Sequence, residues 1–196
     1  MVDALLADAA LALRAVDAVA FGAGPGSFTG LRIACGVAQG LAAGAGVATV
    51  GVGTLIAMAQ ASGAQRVLAC LDARMGEIYC AAYERSAAGW SVVHPPRLCT
   101  PDSAPALDAS GWTGVGSGFQ AHLSALAQRY DEQIESVRPD LHPRADEMAI
   151  LGAQMFRDGL GLAPEQAHPL YLRDHVALTV EERRARSHAD AAPGGP

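Results

Sequence analysis

No lysine occurs among the 196 residues, so all 14 basic residues are arginine. A P-loop NTPase places a lysine on the β- and γ-phosphates, a protein kinase uses a strand lysine, and a Schiff-base enzyme needs a lysine amine. The sequence therefore excludes these three classes in their standard form.

Charged residues of both signs make up only 17% of the chain, against 51% hydrophobic residues. This balance favours a packed core over disorder.

Basic charge is too scarce for a protein that binds nucleic acid by itself. The net charge is −6, whereas phosphate contacts supply most of such affinity and require a basic face. No two histidines have the i, i+4 spacing that places both rings on one helix face for a metal ion. The histidines are His94, His122, His142, His168, His175 and His188. No paired-histidine metal site is expected.

Cysteine use and the N-terminal sequence predict a cytoplasmic protein. The cysteines are Cys35, Cys70, Cys80 and Cys99. None forms a CxxC pair, which argues against a zinc ribbon or a thioredoxin-type site. Their small and apolar neighbours predict reduced, buried thiols. The chain opens with MVD rather than with basic residues, so no signal peptide is expected.

A long uncharged stretch at 33–65 is predicted to fold in a soluble core. Its length alone would permit a membrane-spanning helix. Seven glycines interrupt it, Gln39 and Gln60 lie inside it, and much of the remainder is alanine. Helix, strand and helix are therefore expected here.

The spacing of apolar residues predicts an α/β chain without internal repeats. Helices are predicted at 1–14, 31–43, 54–62, 117–130 and 144–157. Strands are predicted at 18–21, 47–50, 66–71, 77–84 and 112–115, of which 66–71 and 77–84 form a hairpin. Segment 87–110 is predicted to be mostly loop, with short strands near 90–93 and 97–99. Two apolar stripes on helix 1–14 suggest that it is covered on two sides.

The glycine-rich sequence GPGSFTGLR at 24–32, between a strand and a helix, is the strongest local motif. Glycine lets the backbone turn sharply and approach a ligand closely, and the free N–H groups at a helix start suit an anion. Its candidate anion-binding residues are Gly24, Gly26, Ser27, Thr29, Gly30 and Arg32. A tight turn capped by Ser27 or Thr29 explains the same residues, so the motif indicates either an anion site or close packing.

Two further segments carry polar side chains of candidate function. Asp72 and Glu77 flank a turn that contains Arg74, and a local ion pair is expected there rather than an acid/base pair. The sequence PLYLR at 169–173 is predicted to be an extended docking segment.

The helix predicted at 31–43 has an unusual small-residue face. Gly36, Gly40 and Gly44 recur every four residues, and no charge follows Arg32 in this helix. Glycine inside a helix costs about 1 kcal/mol relative to alanine, so three of them imply a packing reason. Burial within the chain and association with a partner helix both satisfy that reason, and the sequence leaves the two open.

Five motifs in order resemble the TsaB (YeaZ) family over positions 1–173. They are GPGSFTGLR at 24–32, GVAQGLA at 36–42, GVGTL at 51–55, DARMGEIY at 72–79 and PLYLR at 169–173. The resemblance implies an actin/Hsp70-like (ASKHA) two-lobed fold. It also implies a non-catalytic scaffold subunit, without metal, of the bacterial machinery that makes threonylcarbamoyladenosine next to the tRNA anticodon.

The resemblance further implies a heterodimer with a TsaD-type catalytic subunit, joined by a TsaE-type ATPase, with tRNA reached only through the complex. The first two helices would form the partner face. The residues expected there are Leu5, Ala7, Leu11, Ile33, Gly36, Val37, Gly40, Leu41 and Gly44. No cofactor is expected on the chain alone, although a nucleotide at the partner interface fits the resemblance.

The expected organisation is a partner-binding N-terminal lobe at 1–64, a C-terminal lobe at 65–175 and a disordered tail at 176–196. Family members open with a strand bearing an Asp-Thr signature and a hairpin, whereas this chain begins at the following helix. The N-terminal lobe is therefore expected to be incomplete, through either a misassigned start or a truncation.

Two other classes of function remain open on the residues alone. The glycine-rich loop would suit a weak phosphotransferase or peptidase, in which Ser27→Ala would abolish turnover. The glycine-faced helix would suit a homodimeric binding module.

Overall fold

The computed structural model of the chain describes residues 1–173, so the tail predicted at 176–196 lies outside the described residues. A small parallel sheet pairs β1 (Ala18–Gly24) with β2 (Ala48–Gly53), and α2 (Phe28–Ala45) connects them after the short N-terminal helix α1 (Val2–Asp8). Parallel neighbours require such a crossover. α2 ends at Gly46, whose φ of 72° is the left-handed conformation typical of a glycine that ends a helix.

Helix α3 (Thr54–Ser62) leads from the small sheet into a five-stranded mixed sheet. Its strands are β3 (Arg66–Arg74), β4 (Glu77–Ser86), β5 (Gly89–Cys99), β6 (Trp112–Val115) and β7 (Ile134–Arg138), in the spatial order β5-β4-β3-β6-β7. The β3–β4 and β4–β5 pairs are antiparallel, whereas β6 pairs in parallel with β3 and β7.

Both faces of the larger sheet are covered, which explains why β3 and β4 are continuously apolar. Leu68 and Cys70 point into a core formed with Phe119 and Tyr130. The alternate residues of the same strand, such as Val67, point into a second core with Met58. The first core is completed by α4 (Ser117–Ala121) and α5 (Leu123–Arg129), and the second by α3.

The end of the described chain returns to the small sheet. Helix α6 (Ala145–Arg157) packs on β1 and β2, where a Cβ at Gly152 would lie 2.7 Å from the Cβ of Ala20. Thr49 exchanges backbone hydrogen bonds of 2.8 and 2.9 Å with Leu162. Helix α6 and Leu162, which belong to the predicted C-terminal lobe, thus contact the first sheet. The division between the two lobes at 64/65 stays a prediction.

Most of the predicted elements are confirmed. The helix at 54–62 has the predicted bounds, the hairpin forms between β3 and β4, and the uncharged stretch 33–65 becomes part of α2, all of β2 and all of α3. Within residues 1–173, no helix combines the length and the apolar character that a bilayer crossing requires.

Two predictions near the N-terminus and in the 87–110 segment are wrong. Helix 1–14 ends at Asp8, the backbone turns at Ala10 with φ of 53°, and none of the α1 residues is buried. The mostly-loop prediction fails because β5 runs unbroken through Pro95 and Pro96. It is an edge strand of the described sheet, where missing N–H donors are tolerated.

The remaining differences concern the segment after β6. The single helix expected at 117–130 is divided into α4 and α5 at His122, whose φ of −131° is not helical. The expected cap, Ser117, instead accepts a hydrogen bond from the backbone N–H of Asp72 at 3.2 Å. Strand β7 was not predicted from the sequence; four of its five residues are exposed or polar, which gives little periodicity.

Replacing Gly116 with alanine should strongly destabilise the chain. Its φ is 98°, and a Cβ there would clash with Met58 Cε and lie 2.5 Å from the carbonyl oxygen of Cys70. We expect Gly116→Ala to lower the free energy of unfolding by about 3 kcal/mol in urea titrations. Gly63→Ala is the control, because φ is again positive at 69° with no atom within 4 Å among the described residues; it should cost about 1 kcal/mol. Equal losses would contradict the steric argument.

Candidate functional site

Three of the sequence motifs meet at one open cleft of about 660 Å³. The glycine-rich loop and the start of α2 form one wall, the turn after β3 forms the second, and the extended segment near 170–173 forms the third. The lining residues are Pro25, Gly26, Ser27, Phe28, Leu31, Arg32, Asp72, Ala73, Arg74, Tyr79, Leu170, Tyr171, Leu172 and Arg173. Segments far apart in sequence therefore build one concave surface.

The floor of this cleft depends on close backbone approach at Gly24. Leu170 donates its backbone N–H to the carbonyl oxygen of Ala23 at 2.7 Å. A Cβ at Gly24, where φ is 114°, would lie 2.9 Å from the carbonyl oxygen of Leu170 and 2.9 Å from Leu31 Cδ1. Glycine is required here for packing, which is one of the two readings that the motif left open.

Ser27 caps the helix that follows the loop. Its Oγ accepts a hydrogen bond from the backbone N–H of Gly30 at 3.5 Å, so α2 begins at Phe28 rather than at Leu31. Thr29 is exposed in the first turn and does not line the cleft. Among residues 1–173, Ser27 has no hydrogen bond to a histidine or a carboxylate, the arrangement that activates a hydroxyl nucleophile.

Arg32, which lines the cleft, contacts two aromatic residues. Its guanidinium carbon lies 3.8 Å from the ring centroid of Phe28 and 5.8 Å from that of Tyr171. Its Nε donates to the hydroxyl of Tyr171 at 2.9 Å. Stacking of this kind stabilises a cation without neutralising it. Arg32 is thus a cation that lines the cleft and suits an anionic ligand there.

The turn after β3 contains one local ion pair and one long-range pair. Arg74 donates to Asp72 at 2.9 Å, which confirms the local pair expected from the sequence. Glu77 instead pairs with Arg173 at 2.7 Å, and Arg173 also donates to the carbonyl oxygen of Ala73 at 2.9 Å. The second pair fastens the extended segment to the turn and so closes one end of the cleft.

Sequence reasoning missed Phe28, Tyr171, Arg173 and His122 as parts of this site. His122 Nε2 lies 3.8 Å from Asp72 Oδ1 and has no hydrogen-bond partner within the described residues. The partners of Arg32 and Arg173 are 139 and 96 residues away in sequence. Among the sequence motifs, only the docking segment predicted at 169–173 indicated that Tyr171 and Arg173 contact distant residues.

The second candidate surface is the outward face of α2. The inward residues Leu31, Cys35, Ala38 and Ala42 are buried against the small sheet. The outward residues predicted as a partner face are Ile33, Gly36, Val37, Gly40, Leu41 and Gly44. Ile33 and Val37 are 62% and 53% exposed. A Cβ placed at any of the three glycines would meet no atom within 4 Å among the described residues.

The predicted partner residues of the N-terminal segment are also on the surface. Leu5 and Leu11 are 63% and 49% exposed, and Ala7 is exposed as well. Leu5 and Ala7 lie on α1, whereas Leu11 lies in the turn beyond it. The short 3₁₀ turn Leu13–Ala15 contacts α2.

The comparisons with known proteins match a family model described as TsaD and curated relatives named TsaB. The profile of the family described as "TsaD: tRNA N6-adenosine threonylcarbamoyltransferase" matches residues 1–179. The tRNA threonylcarbamoyladenosine biosynthesis protein TsaB from Escherichia coli (strain K12) is 42% identical over an alignment 190 residues long, and the match covers 90% of this chain and 79% of that protein. Its counterpart from Haemophilus influenzae is 33% identical over 90% of this chain and 78% of that protein.

Solved structures support the same assignment. YeaZ from Pseudomonas aeruginosa superposes with a TM-score of 0.81 at 37% identity, over 88% of this chain and 81% of that one. A second Pseudomonas aeruginosa structure, described as similar to the peptidase YeaZ, gives 0.80 at 36% identity over the same shares. The mixed α/β architecture and these neighbours confirm the predicted actin/Hsp70-like fold class.

The Glu77–Arg173 pair should stabilise the chain more than an exposed pair does. Only 16% of the Arg173 side chain and 29% of the Glu77 side chain are exposed. Glu77→Gln leaves Arg173 partly buried without its anion, and we expect a loss of about 1–2 kcal/mol in urea unfolding. The control is Asp146→Asn, which removes the exposed pair with Arg144 at the start of α6 and should cost much less than Glu77→Gln. Indistinguishable losses would contradict the proposed fastening of segment 170–173.

Proposed function

The chain belongs to the TsaB family, and from this premise we propose that it serves the biosynthesis of threonylcarbamoyladenosine in tRNA as a non-catalytic scaffold subunit. In this proposal it pairs with a TsaD-type catalytic subunit, and a TsaE-type ATPase joins the pair. tRNA is bound through the complex, which suits a chain with a net charge of −6.

The observation that carries the proposal is the outward face of α2. The helix is fully anchored by its inward face, yet it keeps Ile33 and Val37 more than half exposed. Three glycines beside them would each cost about 1 kcal/mol relative to alanine. None of these glycines is required by a contact within residues 1–173. A helix of a second protein, packed closely against this face, would provide the missing reason.

The accessory role is supported by the chemistry that the sequence lacks. Without lysine and without a helical histidine pair, the chain has none of the standard phosphotransfer or metal-site signatures. The Ser27 hydroxyl is used as a helix cap rather than placed beside a base. Nucleotide or another anion remains a candidate ligand of the cleft, which Arg32, Arg74 and Arg173 line.

Charge placed on the outward face of α2 should abolish pairing. We expect Val37→Glu to weaken association with the TsaD-type subunit by more than roughly tenfold, because burying an unpaired carboxylate is strongly unfavourable. Val92→Glu is the matched control, since Val92 on β5 is 56% exposed and Val37 is 53% exposed. Isothermal titration of the purified subunits measures both affinities.

The outcomes separate the three classes of function. Equal affinities of the two variants would remove α2 from the interface, and no association of the unmodified chain would overturn the scaffold role. A homodimer would appear as twice the chain mass in light scattering without partner, and Val37→Glu would then halve that mass. Partner-free turnover abolished by Ser27→Ala would favour an enzyme.

A further inference from the structure

We propose that Cys80 and Cys99 form a peroxide-sensitive dithiol, in which Cys99 is oxidised first and Cys80 then closes a disulfide between β4 and β5. Their Sγ atoms lie 3.5 Å apart, and both cysteines are free thiols. A disulfide bond is about 2.05 Å long, so the two sulfurs must approach by roughly 1.5 Å.

That approach requires a local shift of β5 against β4. In the β4–β5 ladder Cys80 is opposite Arg97, and Cys99 is opposite Ile78, so the two cysteines are diagonal neighbours. The register shifts immediately beyond Cys80, where Pro95 and Pro96 lie on β5. Proline donates no ladder hydrogen bond, so fewer backbone hydrogen bonds oppose a shift of this stretch of the edge strand.

The two thiols differ in access and in acidity, which sets the order of reaction. Cys80 is fully buried, whereas Cys99 is half-buried near the end of the edge strand. The hydrogen bond between the thiols, together with Arg97 and Ser103, lowers the pKa of Cys99 below its ordinary value. The same hydrogen bond and burial raise the pKa of Cys80. Cys99 is thus the thiolate that an oxidant meets first.

The chemistry balances with hydrogen peroxide as the oxidant. The Cys99 thiolate attacks one peroxide oxygen, the O–O bond breaks, and the products are a Cys99 sulfenic acid and hydroxide. The Cys80 thiol then attacks the Cys99 sulfur, the S–O bond breaks, and water leaves with the thiol proton. The two cysteines lose two electrons, and peroxide is reduced to water.

Peptide mapping of the full chain tests the proposal without any variant. Trypsin cuts this lysine-free chain only at arginine, which places Cys80 in peptide 75–85 and Cys99 in peptide 98–129. After mild peroxide and thiol blocking, we expect these two peptides to be joined, and dithiothreitol to release them. Cys70, which is opposite Cys80 on β3, and Cys35 should react at least about tenfold more slowly.

Two variants sharpen the test. Cys99→Ser should abolish the joined peptides and leave Cys80 unoxidised, whereas the matched control Cys70→Ser, a change in the same core, should retain them. The proposal is overturned if Cys99 proceeds to sulfinic or sulfonic acid while Cys80 stays free. It is also overturned if Cys80 joins Cys70 instead, or if no cysteine is oxidised selectively.

Discussion

Helix α2 is held to the protein by one face only, and the rest of the architecture follows from that constraint. Its inward side packs on β1, and Cys35 and Gln39 both donate to the carbonyl oxygen of Ala167 at 3.5 and 3.0 Å. These contacts hold α2 to the preceding strand β1 and to the segment around Ala167, near the end of the described residues. The buried face of α2 consists mainly of small residues, and its outward face carries three glycines. The helix is therefore firmly held, while few side chains cover its outward face. Such a helix suits close approach by a second protein.

The same anchoring builds the cleft at the start of α2. Because the chain returns to β1 through α6 and the segment near 170–173, Tyr171 reaches Arg32 and Arg173 reaches the turn after β3. The cleft thus joins the small sheet, the large sheet and the returning segment. Phe28 and Arg32, which line the cleft, belong to the first two turns of α2.

Local patterns predicted the elements that are decided locally. The hairpin of β3 and β4 and the helix at 54–62 followed from turn residues and from apolar spacing, and the five ordered motifs predicted the family. The local ion pair of Asp72 with Arg74 was predicted because the two residues are adjacent in the turn.

Features decided by distant contacts were not predictable in the same way. The fastening of Glu77 by Arg173 and the stacking of Arg32 on Tyr171 depend on residues about a hundred or more positions apart. The two short strands predicted near 90–93 and 97–99 are parts of one strand, β5, because the prolines between them are tolerated at a sheet edge. The proximity of Cys80 and Cys99 arises from strand pairing, which spacing along the chain does not reveal. The length of the helix predicted at 1–14 was overestimated, because its apolar residues pack against no core within the described residues.

Hydrogen exchange of the chain, measured by mass spectrometry with and without a TsaD-type subunit, tests the central claim most directly. We expect the amides of Phe28–Ala45 to exchange more slowly in the mixture and those of the edge strand Gly89–Cys99 to be unchanged. Unchanged exchange in α2, with new protection on β5 or elsewhere on the large sheet, would contradict the central claim.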